Sequence, residues 1–275
     1  MVCFPNAKIN IGLHIINKRE DGFHNLETVF YPIKLSDSLE FICSDTPTSF
    51  KNTGIELNCK PQQNLVIKAY YLLKSKYKLP EIAVHLHKII PTGAGLGGGS
   101  ADATFMLKAL NQHFNLKISN IELHDYAAQL GSDCAFFIEN RAIFAEGRGE
   151  QLSQINMDLS AYKILLIYPN FPVSTAQAFA GLQIRKHPQS LKDLIQYPLE
   201  DWKNVIGNDF EQSIIAKYPI IGSLKTQLYE LGAIYASMSG SGSAVYGLFD
   251  ELPTLPKQFE QYFIWHGKST TPLPY

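Results

Sequence analysis

Between Pro91 and Ala101 the chain reads Pro-Thr-Gly-Ala-Gly-Leu-Gly-Gly-Gly-Ser-Ala, with five glycines in the seven positions 93–99. Such a stretch does not continue a helix or a packed strand, because glycine loses more conformational freedom on folding than any other residue. Upstream, Ile82-Ala83-Val84-His85-Leu86 reads as a strand. Downstream, Thr104, Phe105, Met106, Leu107, Ala109, Leu110 and Phe114 read as a helix. Strand, glycine loop and helix start together present unpaired backbone N–H groups and the positive end of a helix dipole, which suits an anion such as phosphate. An ordinary glycine-rich connection is the alternative reading, since clustered glycines by themselves mark only a loop.

Composition excludes several classes of function. The 275 residues give room for two modest domains or one large one. A formal net charge of −1 gives no pull towards nucleic acid or anionic membrane, and no Lys/Arg-rich run interleaves with aromatics. Met1 to Lys8 lacks the basic region and apolar core of a signal peptide, and no apolar run is long enough to span a bilayer. Cys3, Cys43, Cys59 and Cys134 are scattered without a CxxC pair, which fits reduced thiols. The expectation is a cytoplasmic protein with a small-molecule partner, no nucleic acid and no membrane. His85 and His87 share one strand face but have no further ligands nearby in sequence to complete a metal site.

Along the chain, Ala7 to Ile16 alternates: Ile9, Ile11, Leu13 and Ile15 face one way, Lys8, Asn10, Gly12 and His14 the other. That is the pattern of a half-buried strand, and Lys8 read alone is a solvated lysine on an open sheet face. Glu20-Asp21-Gly22 predicts a hairpin turn, with Phe23 to Tyr31 returning as a strand. Two short strands are expected between Leu39 and Leu57. Asn64 opens an amphipathic helix with Leu65, Ala69, Leu72, Leu73 and Tyr77 as its stripe. Ser119 to Glu122 is a capping box for a helix that carries Leu123, Ala127 and Leu130 and stops at Gly131. Asp133 follows, ahead of the apolar run Cys134 to Phe137. It is either a partly desolvated carboxylate or a cap for the next turn.

Further on, Ala142 to Ala145 is a short strand and the apolar run Tyr162 to Tyr168 a central one. Ser174-Thr175 caps a short helix through Phe179. Asp201 to Tyr218 and Ile220 to Gly232 are expected to be helical. A second glycine loop, Ser237 to Ser243, is either a hairpin turn or a mobile phosphate cover made of hydroxyls and N–H groups.

The first loop satisfies GxGxxG, but roughly ninety residues with antiparallel-looking hairpins precede it. A dinucleotide-binding domain would place that motif in its first βαβ unit. A P-loop would end in Gly-Lys-Ser/Thr, whereas this loop ends in Gly99-Ser100. The protein-kinase HRD and DFG motifs are absent.

Pro91-x-Gly-Ala-Gly-Leu-Gly-Gly-Gly-Ser-Ala closely resembles the ATP-binding motif of the GHMP kinase superfamily. Pro5-x-Ala-Lys-Ile-Asn resembles its N-terminal motif, and Ser239-Gly-Ser-Gly-Ser its C-terminal glycine loop. Lys8-Ile-Asn10, Asp21-Gly22-Phe23-His24, Gln63-Asn64-Leu65, Leu130 to Asp133 and Phe144 to Glu150 resemble the branch whose acceptor is 4-diphosphocytidyl-2-C-methyl-D-erythritol (CDP-methylerythritol). The resemblance covers most of the chain and weakens between Arg185 and Tyr218.

This resemblance implies an α+β, two-domain GHMP kinase fold with the active site in the interdomain cleft. The expected domains are 1–153 (ATP-binding) and 154–275 (C-terminal). It implies transfer of a phosphoryl group from ATP, with Mg²⁺, to an acceptor hydroxyl. Lys8 and Asp133 match the catalytic pair. ATP falls to Pro91, Gly93, Ala94, Gly95, Leu96, Gly97, Gly98, Gly99, Ser100 and Ala101, with Asn64 and Lys88 near the adenine and Ser239, Gly240, Ser241 and Gly242 in the second loop. Ser100 is the implied Mg²⁺ contact. Members often carry Ser-Ser-Asn after the triple glycine; Ser100-Ala101-Asp102 here leaves the metal contacts open.

Asn10, Phe23, His24, Thr175 and Phe179 fall at acceptor-binding positions, with Phe23, in place of a frequent tyrosine, and Phe179 as rings to stack on cytosine. A monomer or weak homodimer is expected. Two other readings stay open at this point. One is a superfamily member acting on another small alcohol, such as homoserine or mevalonate. The other is a catalytically silent binding protein, against which Lys8, Asp133 and Ser100 argue.

Overall fold

In the computed structural model, residues 1–268 are described. The chain forms two compact units, neither of which is a single run of sequence. The first comprises Met1–Ala7, Leu35–Pro91 and Gly97–Asn140; the second comprises Lys8–Lys34, Thr92–Leu96 and the chain from Arg141 onward.

The first unit is built on a four-stranded sheet in the order Val2–Cys3, Ser38–Cys43, Ile82–Lys88, Ser49–Gly54. The last pair is parallel and the others antiparallel. Ile82, Val84 and Leu86 alternate into the core from the central strand, as their period of two requires. Helices Leu65–Lys74, Gly98–His113 and Asn120–Leu130 pack on one another. Ser119 and Glu122 form the expected capping box. The first of these helices buries Val66, Ile67, Ala69, Tyr70 and Leu73, with Leu65 and Leu72 only half-buried. It ends at Lys74, so Tyr77 lies outside it. The expected stripe is therefore displaced. This helix contacts two neighbouring helices, and the wider arc takes in Tyr70, whose hydroxyl donates to Pro80 O at 2.7 Å.

The second unit carries two four-stranded sheets. One runs Asn6–Lys18, His24–Ser36, Ile143–Glu146, Gln151–Gln154; the other runs Tyr235–Met238, Val245–Phe249, Lys163–Tyr168, Phe263–Lys268, antiparallel throughout. Lys163–Tyr168 is an interior strand, as the apolar run from Ile164 to Tyr168 predicts. Its Leu165 and Ile167 share a core with Val245, Phe249, Phe210 and the helix residues Ile221, Leu224 and Leu228. The Asp21-Gly22 turn forms as expected, with Gly22 at φ +83° and Phe23 N–H donating to Asp21 Oδ1 at 3.1 Å.

Two expectations fail here. The stretch 201–218 is two helices, Leu199–Val205 and Glu211–Lys217. Between them, Gly207 O accepts from Leu13 N–H at 3.0 Å and Asp209 N–H donates to Leu13 O at 2.8 Å, so the strand Asn6–Lys18 takes backbone groups that a continuous helix would use internally. That same strand is buried on both faces from Asn6 to Ile15, not half-buried. On its polar side Lys8 and Asn10 are hydrogen-bonded, Gly12 is covered by Leu191 and Ile206, and His14 is covered by the His187 ring. Among the described residues no helix is long and apolar enough to cross a membrane, and all four cysteines are free thiols.

His14 on this strand is 3% exposed and stacks on His187 at 3.8 Å, while His187 Nε2 lies 2.9 Å from Asp209 Oδ2. Burial, then the adjacent His187, push the His14 pKa down to about 4, against the opposing pull of Asp209 and Glu27. An unfolded His14 titrates near 6.5. Below that value the unfolded chain takes up a proton that the folded chain refuses, so the contribution is intact above about pH 6.5 and lost as pH falls towards about 4. In urea unfolding at pH 7, 5.5 and 4.5, His14→Gln is expected to lose less stability on acidification than the parent chain. Equal losses would remove His14 from the acid response.

Candidate active site

The glycine loop leaves the strand Ile82–Lys88 through Pro91 and enters the helix Gly98–His113. Gly93, Gly95 and Gly97 adopt φ of +64°, +76° and +70°. Gly97 is the residue that starts the helix, and no side chain caps it. The N–H groups of the first helical turn have no partner within the helix, so this end suits an anion. Ala94, Leu96 and Ala101 are buried, as is Pro91; they can offer a nucleotide only main-chain groups.

Segment 92–96 is held within the second unit. Gly95 O accepts from Lys8 Nζ at 3.0 Å and from Ser239 Oγ at 2.8 Å. Lys8 N–H donates to Leu96 O at 3.0 Å, Ala244 N–H to Ala94 O at 3.2 Å, and Val173 N–H to Gly93 O at 2.9 Å. A Cβ on Gly95 would stand 1.9 Å from Ser239 O, so close approach as well as the positive φ requires glycine. Lys8, expected on an open face, is 3% exposed. Its ammonium donates to Asn10 Oδ1 as well as to Gly95 O and lies 5.1 Å from the centre of the Phe30 ring. Asn10 is fixed in turn. Its Nδ2 donates to Thr28 Oγ1 at 2.9 Å, its N–H to Ser239 Oγ at 3.1 Å, and its carbonyl accepts from Tyr246 OH at 2.8 Å.

The second glycine loop is less a mobile cover than a fixed part of this network. Ser239 is fully buried and its hydroxyl both accepts from Asn10 and donates to Gly95, which leaves it no role as a phosphate-binding hydroxyl. Asn208 Nδ2 donates to Met238 O at 2.9 Å and to Gly240 O at 2.7 Å, holding the turn. Gly240 and Gly242 have φ of +54° and +85°, and Ser241 is half-buried. Thr28, Asn208 and Tyr246 are site-building residues that the sequence reading missed. Their local patterns are those of ordinary strand and loop residues, and only the tertiary pairing gives them a role.

In the first unit, Asp133 lies half-buried in the turn after Asn120–Leu130, and Ser132 Oγ donates to Asp133 Oδ1 at 3.4 Å. The next short helix, Phe136–Glu139, starts at Ala135 without a side-chain cap. This turn is stapled to the glycine-loop helix. Thr104 Oγ1 donates to Cys134 O at 2.8 Å, burial pushes the Cys134 thiol up to about 11, and a Cβ on Gly131 would stand 3.4 Å from Cys134 Sγ and 3.9 Å from Ser100 Oγ. Ser100 and Asp133 thus belong to one neighbourhood. Asn64 starts Leu65–Lys74, its Oδ1 accepting from Val66 N–H at 2.8 Å.

Lys88 does not fit the adenine role expected of it. It is 2% exposed, and its ammonium pairs with Asp37 and, at 2.9 Å, with Asp102 Oδ2. Asp102 is equally buried, so the carboxylate that left the metal contacts open faces Lys88. Among the described residues no group of three His, Cys, Asp or Glu could hold a metal. A half-buried Ser100 hydroxyl at an uncapped helix start suits Mg²⁺ carried mainly by phosphates and waters, the usual state of that ion beside a nucleotide.

On the expected acceptor side, the ring stacked on Phe179 is that of His24, at 4.7 Å and 19°. Phe179 also meets Phe210 edge-on at 4.9 Å. Phe23 sits at the hairpin tip, 55% exposed, with the Arg148 guanidinium 5.0 Å from its ring centre. Burial and Lys18 lower the His24 pKa, which favours the neutral imidazole. Thr175 is exposed at the start of Thr175–Ala180, behind a Ser174–Gln177 capping box.

Gly95→Ala is expected to cost at least about 2 kcal/mol of stability, because the new methyl must displace Ser239 O. Gly99→Ala meets nothing nearer than Leu65 Cδ1 at 3.9 Å and is expected to change stability by less than about 1 kcal/mol. Urea unfolding of both variants checks the contrast; similar costs would contradict the close approach at Gly95.

The family description GHMP kinases N terminal domain matches residues 64–141, and GHMP kinases C terminal matches residues 184–262. A protein of Bacteroides thetaiotaomicron named 4-diphosphocytidyl-2-C-methyl-D-erythritol kinase is 53% identical over 260 residues, covering 94% of this chain and 95% of that one. One of the same name from Bacteroides fragilis is 51% identical over 96% of this chain and 97% of its own length. A crystal structure of 4-(cytidine 5'-diphospho)-2C-methyl-D-erythritol kinase superposes with a TM-score of 0.75 at 30% identity, covering 90% of both chains. The chain belongs to the GHMP kinases and, within them, to the 4-diphosphocytidyl-2-C-methyl-D-erythritol kinase family.

Proposed function

We propose that this chain transfers the γ-phosphoryl group of ATP to the 2-hydroxyl of CDP-methylerythritol, a step of the non-mevalonate route to isoprenoid precursors. The observation that carries this reading is the 53% identity, over nearly the whole of both chains, to a relative named for that kinase activity. The buried Lys8–Asn10–Gly95 network and the uncapped helix start at Gly97 support it from the residues upward.

An alcohol is a poor nucleophile at neutral pH, and a positioned carboxylate that accepts its proton contributes about 10²–10⁴-fold. Asp133 takes this role. Lys8, held by Asn10 and Gly95, offsets negative charge on the transferring group, and it acts without reorganisation because it is already in place. The N–H groups at positions 95–100 bind the phosphates and orient them. Mg²⁺, which Ser100 would help to hold, supplies further charge neutralisation on the phosphates when bound. Asn64 lies towards the adenine. Asn10, His24, Phe23, Thr175 and Phe179 receive the acceptor, with the His24–Phe179 stack as a ready-made flat surface for cytosine. As the family's sequence modules we propose residues 1–153 and 154–275, which keep each matched stretch whole. The protein acts in the cytoplasm as a monomer or weak homodimer.

ADP release measured with CDP-methylerythritol, homoserine and mevalonate side by side tests the assignment. Turnover is expected with the first alone, and turnover confined to a simple alcohol would overturn it. Asp133→Asn is expected to lower kcat by about 10²–10⁴-fold while ATP affinity stays within about threefold. Near-normal turnover would take Asp133 out of the mechanism.

A further inference from the structure

The strand Ile82–Lys88 and the helix Gly98–His113 meet at a cluster of three buried charges. Asp37 is fully buried, and Lys88 and Asp102 are each 2% exposed. Asp37 Oδ1 accepts the backbone N–H groups of Ile89 at 2.5 Å and Ile90 at 2.8 Å, and its Oδ2 accepts from Lys88 Nζ. The same ammonium donates to Asp102 Oδ2 at 2.9 Å, in the first turns of the helix. The helix start lies directly on this group. A Cβ on Gly98 would come within 2.8 Å of Lys88 Nζ and 2.9 Å of Ile90 Cγ2. One carboxylate, Asp37, therefore fixes the chain just before it leaves the first unit after Pro91, and through Lys88 it fixes the chain just after its return at Gly97.

Stability alone does not account for such a cluster. Two carboxylates share one ammonium, and Asp102 Oδ1 is buried without a hydrogen-bond partner, which costs stability. Apolar side chains of similar volume would serve a core at least as well. What charged, directional bonds in a dry environment add is a fixed geometry. We infer that Asp37, Lys88 and Asp102 form a charge clamp that sets the two ends of the nucleotide loop, making Lys88 and Asp102 positioning residues for ATP. The inference rests on the reading of the 93–100 loop as the ATP site. Neither side chain touches the nucleotide; both act through the backbone N–H groups whose separation they fix.

Asp102→Ala cuts the clamp at the helix and leaves Lys88 and Asp37 as a neutral pair, so folding is expected to survive. Its KM for ATP is expected to rise about tenfold, with the KM for CDP-methylerythritol within twofold of the parent. Calorimetric titration with a non-hydrolysable ATP analogue should show a matching loss of affinity. Asp102→Asn, which can still accept from Lys88, should recover most of that loss. Lys88→Met is the second variant, with the same rise expected, and it decides the matter should Asp102→Ala not fold. A folded variant with an unchanged KM for ATP overturns the clamp, as does a fall in kcat with neither KM moved, the mark of a merely structural role. A parent chain that binds no ATP analogue sinks the clamp and the ATP site together. A parent that binds the analogue but phosphorylates no CDP-methylerythritol sinks only the acceptor assignment, and the clamp is then judged by the calorimetric affinities alone.

Discussion

The carbonyl of Gly95 takes two hydrogen bonds, one from the Lys8 ammonium and one from the Ser239 hydroxyl, and much of the second unit is arranged so that it can. The approach requires a residue without a Cβ, hence glycine at 95. It requires Lys8 to be buried, which in turn requires acceptors; Asn10 and the loop carbonyl supply them. Asn10 is oriented by Thr28 and Tyr246, and Ser239 by a turn that Asn208 holds open. Lys8 and Asn10 pair within one strand, and their remaining partners come from the glycine loop, the neighbouring strand at Thr28, the second loop at Ser239 and the strand at Tyr246. The network is thus costly to perturb piecemeal, because removing one partner strands another in a dry environment.

The parts of the fold that the sequence makes legible are those with local causes. The Asp21-Gly22 turn, the Ser119 and Ser174 capping boxes and the interior strand at Lys163–Tyr168 follow from backbone geometry and short-range pattern. The misreadings have non-local causes. Ala7 to Ile16 alternates like a half-buried strand, yet both faces are covered, because Lys8 and His14 pair with groups far away in sequence. The segment around Asn208 has helical composition but gives its main chain to Leu13. The site shows the same division. Motif resemblance points to Lys8, Asp133 and the loop, while the buried state of Lys88 and the inward turn of Asp102 depend on Asp37, whose local sequence says nothing of them.

The two glycine loops differ physically although they look alike in sequence. The first presents a helix start with no side-chain cap, so its N–H groups remain available to a ligand. The second has its leading hydroxyl and two of its carbonyls committed within the fold. Small residues serve ligand approach in the one case and close packing of the main chain in the other.

The distribution of sequence between the two units has a consequence for synthesis. Every segment of the first unit lies before Arg141, so it can close as soon as that length has emerged from the ribosome. Residues 8–34 belong with the later part of the chain. At about 5–20 residues per second they wait on the order of ten seconds for their partners. During that time the strand bearing Ile9, Ile11, Leu13 and Ile15, fully covered in the finished fold, has its apolar face in water and lacks the contacts that later bury it. Such a strand is a template for wrong pairing until the later part of the chain covers it.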